Sequence, residues 1–243
     1  PWRNCDMSPE TILRKEDCEA LRTAEELIVW IESEHAQFEA TDATRAYARM
    51  GKGLVKPFYE EIVPLGDLAR HKYLGQPHFC LRPKIGNQNY DAEIINKSSS
   101  HEHIKRIEFT STYRDADFAL RLEYLNQHGA VFMSGPVWRD GTKASGGQIH
   151  VVPECIDYDN NLNDLTDLIK RRVSIKLGLS YAPNTIIAIV FDDVRHRSTT
   201  HLPQLQTYLR DTLSDQIRGK FCGIFILGTS GKTFLEYSET SSV

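Results

Sequence analysis

Apolar residues three to four apart run from residue 9 to about residue 74. Leu27, Ile28, Trp30, Ile31 and Phe38 form one stripe, and after a polar turn at 41–44 a second run extends from Leu54 to Leu74. That period predicts helices, and β-branched clusters are missing from the stretch. Past Pro83 the pattern changes. A Gly/Asn-rich turn at 84–90 feeds a short strand ending at Ile95, residues 96–103 form a polar loop, and Ile104 to Thr110 alternate as a second strand, so the pair predicts a hairpin. A helix follows over 114–128, with Phe118, Leu120, Leu122 and Leu125 apolar. Residues 130–138 and 148–152 flank a Gly/Lys/Ser-rich loop at 140–147 and predict a second hairpin. The last third alternates helix (162–177), strand (185–192), helix (202–217) and strand (220–227). Strands separated by helices of this length call for parallel crossovers.

The expectation is therefore an α/β fold: a central mixed sheet of about four or five strands flanked by helices. Residues 1–51 would be a helical N-terminal extension, residues 52–243 the α/β domain, and 130–153 an inserted β-ribbon. Composition agrees with a packed core, since 40% of the 243 residues are hydrophobic and 26% charged. The longest apolar runs, Ile186 to Phe191 and Phe221 to Leu227, fall far short of the roughly 20 residues a membrane helix needs. Five scattered cysteines without a Cys-x-x-Cys pair favour a reducing, cytoplasmic setting over a disulfide framework or a zinc knuckle.

Charge narrows the function classes. With 29 Lys+Arg against 33 Asp+Glu the net charge is −4, which excludes a wholesale polycation. The stretch from Lys52 to Lys84 nevertheless holds six basic residues against three acids, so one side of the molecule can be basic. Gly228-Thr229-Ser230-Gly231-Lys232-Thr233 imitates a phosphate-binding loop but fails its spacing, because position 226 is Ile where that loop requires Gly. It predicts a hairpin turn between 221–227 and 233–237. His101-Glu102-His103 lies in a polar loop with no further ligand nearby and predicts a surface turn. Asp192 and Asp193 end a strand, where aspartates cap turns.

The hairpin at 90–110 carries the most chemistry. Asp91 and Glu93 are two apart and share a strand face, as do Glu108 and Thr110. Paired strands lie about 4.8 Å apart, so carboxylates on one side of them can reach a single divalent cation. Glu108 stands between Ile107 and Phe109, on a strand expected to be covered on both faces. On a helix from Leu54 at about 100° per residue, Glu61 lies near the apolar face of Leu54, Phe58, Ile62, Leu65 and Ala69, and Glu60 lies nearly opposite. On the helix from Leu162, the stripe of Leu165, Leu168, Ile169 and Val173 also contains Arg172 and Lys176, two cations in need of partners.

A helix with an acid, a strand with Asp91, a strand with Glu108, then helix, strand, helix and strand: this order resembles the PD-(D/E)XK nuclease superfamily over roughly Leu54 to Tyr237. Two positions depart from its pattern. Asn89-Tyr90 replaces the Pro before the Asp, and Thr110 replaces the lysine of Glu-x-Lys. The resemblance implies a restriction-endonuclease-like sheet and Mg²⁺- or Mn²⁺-dependent hydrolysis of DNA phosphodiester bonds. Asp91, Glu108 and Glu61 would hold the metal, and Lys176 would replace the missing lysine, with Arg172 and Lys84 on the nucleic acid. The alternative is a catalytically inactive protein of the same fold that binds nucleic acid or a protein partner. DNA is the expected partner, a membrane is not, and a homodimer is left open.

Overall fold

The computed structural model describes residues 12–98, 103–113, 116–155, 158–194 and 201–238. Residues 9–11 of the first expected helix, His101, Glu102 and the end of the polar tail lie outside the described residues.

A single turn, α1 (Lys15–Cys18), and a two-residue strand, β1 (Arg22–Thr23), precede α2 (Ala24–Glu39). Thr23 starts α2 with a capping box: its hydroxyl accepts from the Glu26 N–H at 3.3 Å, and the Glu26 carboxylate accepts from the Thr23 N–H at 2.9 Å. Thr41 and Thr44 repeat the device at α3 (Asp42–Met50). A continuous helix then comprises α4 (Val55–Pro57), a π-turn (Phe58–Ile62) and α5 (Val63–Lys72). Pro64 has no N–H to offer the Glu60 carbonyl, and the Val63 N–H reaches back five residues to Phe58 O, so the turn swells by one residue.

The strands β2 (Phe79–Pro83), β3 (Ala92–Asn96) and β4 (His103–Ser111) follow, then α6 (Ala116–His128) and a separate two-stranded ribbon of β5 (Val137–Arg139) and β6 (Ile149–Val151). The chain closes with α7 (Tyr158–Leu177), β7 (Thr185–Phe191), α8 (His201–Tyr208), a second π-turn (Leu209–Leu213), α9 (Ser214–Ile217), β8 (Gly223–Gly228) and β9 (Phe234–Ser238).

The protein is thus α/β, with a seven-stranded mixed sheet in the order β1-β2-β3-β4-β7-β8-β9 and helices on both faces. Strand pairs β4–β7 and β7–β8 are parallel and the others antiparallel. The two strands beyond the expected five are β1 and β2, which carry the sheet past the hairpin of β3 and β4. Side chains alternate between two cores. Ile107, Phe109, Ile186, Ala188 and Val190 face the N-terminal helices with Leu27, Phe58, Ile62 and Leu65, whereas Ile187, Ile189 and Phe191 face α7 to α9 with Ile169, Val173 and Leu213. Register puts Glu108 beside Ile187 and Thr110 beside Ile189, hence on the α7 side. No helix of the described residues is long and apolar enough to cross a membrane.

Candidate metal centre

β3 pairs with β4 only as far as Ala92 opposite Ile107, whereas β4 continues along β7 to Ser111. The last four residues of β4 therefore have a bare edge on the β3 side. Asp91 closes its start: its N–H donates to Ile107 O at 2.7 Å, and its Oδ2 accepts from the Phe109 N–H at 2.7 Å. A carboxylate is thereby fixed by backbone geometry at the point where the sheet opens. Glu108, 6% exposed, lies on the adjacent strand, and the Lys176 ammonium on α7 donates to its Oε1.

Around this edge lies a cavity of about 340 Å³, lined among others by Glu60, Glu61, Asp91, Thr110, Arg172 and Lys176. With Glu108 behind it, the site sets four carboxylates against two cations. Burial pushes the Glu61 carboxyl up to about 8, and the charges of Asp91, Glu60 and Glu108 add to the shift while Lys176 opposes it. Burial and then the charge of Glu108 raise Asp91 well above its ordinary value, against the Phe109 N–H and Lys176. The Tyr181 hydroxyl, in the loop between α7 and β7, is sealed from solvent beside Glu108. Burial and the negative charges of Glu108 and Asp91 raise its pKa.

The sequence expectations meet this geometry residue by residue. Asp91, Glu61, Lys176 and Arg172 come together on one cavity, and Arg172 makes no hydrogen bond or ion pair among the described residues. Glu60 does not point away from the apolar face into solvent; it is partly buried and lines the same cavity as Glu61, because the π-turn is wider than the 100° spacing assumed for a regular helix. Glu93 shares the face of Asp91 but is spent on structure. It accepts from Arg82 at 2.6 and 3.0 Å and from the Tyr90 hydroxyl at 3.0 Å. Burial would raise its pKa, yet these bonds and the charges of Arg82 and Lys84 hold it below the usual range. Lys84 is outside the cavity, with its ammonium 3.7 Å from Glu93. Tyr181 was not foreseen, since a tyrosine in a loop carries no periodicity to read.

The chain matches no family model, no curated protein and no solved structure.

Two further motifs resolve structurally. The glycine-rich segment is the turn of the β8–β9 hairpin, as its failed spacing predicted, and it folds around Asp193. That carboxylate accepts from the Ser230 N–H (2.8 Å), the Ser230 hydroxyl (2.5 Å) and the Thr233 hydroxyl (2.8 Å). Asp192 accepts from the Val194 N–H at 3.2 Å. Both aspartates cap turns.

The donor set at Asp91 is all oxygen, which suits a hard cation and not zinc or copper. Among the described residues no three His, Cys, Asp or Glu side chains converge as a ready-made cage. Mg²⁺ needs no such cage, because it keeps several waters and binds through one or two carboxylates and substrate phosphates. Asp91 fits that limited role from the cavity wall together with Glu61, and Glu108 stands behind them, paired with Lys176.

Proposed function

We propose that this chain is a Mg²⁺-dependent nuclease of restriction-endonuclease-like fold that hydrolyses DNA phosphodiester bonds. The observation that carries the reading is the convergence of Glu61, Asp91 and Lys176 on one cavity at the free edge of β4, with Glu108 ion-paired to Lys176. These four residues come from the π-turn, the residue before β3, α7 and β4, four separate parts of the chain. The lysine comes from α7, and Thr110 stands where the resembled motif has one.

Asp91 and Glu108 would hold the divalent cation, and Glu61 would support them. When bound, the cation supplies Lewis acidity at the phosphate and acidifies a water. The chain's own residues do the rest. Lys176 provides a positive charge beside the phosphate, where phosphodiester hydrolysis concentrates negative charge, and Arg172 is free to contact a non-bridging oxygen. Glu61, with its carboxyl pushed up to about 8, can take or return a proton near neutral pH.

The test is cleavage of linear double- and single-stranded DNA with Mg²⁺ or Mn²⁺, wild type beside Asp91→Asn. Cleavage by wild type and none by the variant supports the reading. A wild type that binds DNA and cuts neither substrate in either metal would move the protein to the binding-only alternative.

A further inference from the structure

Next to the carboxylate cavity lies a second one of about 440 Å³, and the two share Glu60 as a common wall. Its chemistry has the opposite sign. Arg49, Lys52, Lys56 and Lys143 stand around it against Glu60 and Glu123, and its floor is apolar, with Phe118 and Leu122. Glu123 is already engaged by Arg139 at 2.8 Å and by Lys143 at 2.9 Å. Lys52 and Lys56 are exposed and make no ion pair among the described residues.

Local structure explains why these cations are held out. Gly51 and Gly53 both adopt left-handed backbone, φ 56° and 55°, and turn the chain sharply between α3 and α4 with Lys52 at the apex. Asn126 of α6 fixes the end of α3, donating to Ala46 O at 3.1 Å and accepting from Arg49 at 3.3 Å. The Glu123 pairs tie the ribbon loop carrying Lys143 to α6. The Phe118 ring meets Tyr113 edge to face, with centroids 5.5 Å apart, and Tyr113 lies two residues past Ser111, which ends β4 and lines the carboxylate cavity. The two cavities are thus consecutive along one path.

A cationic rim over an aromatic and aliphatic floor is the combination that binds unpaired nucleotides: the cations meet backbone phosphates and the floor takes a base face. A lone phosphate would have no use for the floor. A paired base could not offer it a face, because both faces are stacked in a duplex. We infer that this second cavity seats an unpaired nucleotide flanking the phosphate held at the carboxylate site, so the protein prefers single-stranded DNA or an unpaired end. The inference rests on the nuclease reading for its direction, but binding tests it separately.

The experiment is fluorescence anisotropy in EDTA with labelled dT15 and a labelled 15-base-pair duplex. Wild type is compared with Lys52→Glu/Lys56→Glu and with Lys105→Glu/Lys220→Glu, an equal charge change at exposed positions near the opposite end of the parallel strands. Wild type should bind dT15 about 10-fold or more tightly than the duplex. The Lys52/Lys56 variant should lose on the order of 10-fold or more, and its affinity should fall less steeply with salt, by about 1.4 in the logarithmic slope for two lost phosphate contacts. The control variant should stay within about 3-fold. Phe118→Ala should weaken dT15 binding without changing the salt slope. Duplex binding as tight as dT15 binding, or a Lys52/Lys56 variant that binds like wild type, overturns the inference. Wild type that cuts DNA while the Lys52/Lys56 variant binds and cuts equally well removes this subsite and leaves the nuclease reading standing. Binding of dT15 through Lys52 and Lys56 with no cleavage in Mn²⁺ removes the nuclease reading and leaves the subsite.

Discussion

The pairing of Lys176 with Glu108 makes one side chain do two jobs. The ammonium neutralises the buried Glu108 carboxylate, and in the proposed reaction it supplies charge to the phosphate. Lys176→Met separates the two. It leaves Glu108 without a partner, which costs on the order of 1–3 kcal/mol, less than for a fully buried pair because Lys176 retains about a quarter of its exposure. It should also lower turnover by a factor on the order of 100 or more while Mn²⁺ affinity, measured by calorimetry, stays the same or rises. Asp91→Asn should lose both metal and turnover, and Lys176→Met with unchanged turnover would remove the lysine from the chemistry. Asp193 offers the contrasting case of a buried acid that is purely structural. Asp193→Ala strands the Ser230 N–H and two hydroxyls, so the melting temperature should drop by on the order of 5–10 °C with cleavage unaffected below the transition. Gly228→Ala should behave similarly, since a Cβ there would lie 2.2 Å from Asp193 Oδ2.

At the scale of elements, strand parity and the 100° helix period both placed site residues, Asp91 with Glu108 by the first and Glu61, Arg172 and Lys176 by the second, and the helix period failed only where a π-turn interrupts it. The run Thr185–Phe191 could be read as a strand from its β-branched, largely apolar composition, because it is buried on both faces, and the parity of Asp91 with Glu108 followed from the alternation of side chains along paired strands. β2 escaped because it ends on Pro83, begins soon after Pro77 and carries Arg82 for Glu93, so neither its composition nor its alternation marks a strand. The π-turns escaped for a different reason. Leu205, Leu209, Leu213 and Ile217 are all buried at spacings of four, a pattern that would drift by about 120° on a regular helix. The wider turn at Leu209–Leu213 takes up part of that drift, as the one at Phe58–Ile62 does for Phe58 and Ile62 while bringing Glu60 beside Glu61. The ribbon is the least self-sufficient element, since two three-residue strands are marginal without support. Its support comes from α6, where Glu123 binds Arg139 and Lys143 and the buried Arg121 donates to the Phe132 and Gly135 carbonyls ahead of β5. Glu123→Ala should therefore raise amide exchange at Val137–Arg139 and Ile149–Val151 by on the order of 10-fold or more, with the sheet amides unchanged. Equal protection in the variant would mean that the Arg121 hydrogen bonds and packing hold the ribbon without Glu123.

Over the whole molecule, the most strongly raised carboxyl groups lie around the open end of the sheet, Glu34 on α2 is raised as well by burial, and all act on stability in one direction. Glu61 is pushed up to about 8 by burial and by Asp91, Glu60 and Glu108, Asp91 is raised by burial and Glu108, and Asp67 is pushed up to about 6 mainly by burial. A carboxyl whose folded pKa exceeds its unfolded one holds a proton that the unfolded chain has released, so its contribution is fully present below about pH 4 and lost as pH rises through the folded value. Glu93 and Glu123 act oppositely: although burial favours their neutral forms, bonds to Arg82, Tyr90, Arg139 and Lys143 depress them, and their contribution is lost as pH falls below about 4.5. The metal-free protein should accordingly be most stable near pH 5 and lose melting temperature steadily toward pH 8. On the proposed reading, millimolar Mg²⁺ or Mn²⁺ would compete with protons for Asp91 and its neighbours. It should raise the melting temperature at pH 8, by about 2–4 °C for each kcal/mol of binding, and have little effect at pH 5. Asp91→Asn and Glu61→Gln should each flatten the metal-free slope up to pH 8 and abolish or weaken the metal response, whereas Asp67→Asn should flatten only the part below about pH 6 and leave the response intact. Differential scanning fluorimetry in EDTA and in Mn²⁺ across pH 5–8 checks all of this together. A metal-free melting temperature that rises from pH 5 to pH 8 would show that these carboxyl groups are ionised in the fold without cost, and a flat response to Mn²⁺ at pH 8 would show that the cluster at Asp91 holds no cation.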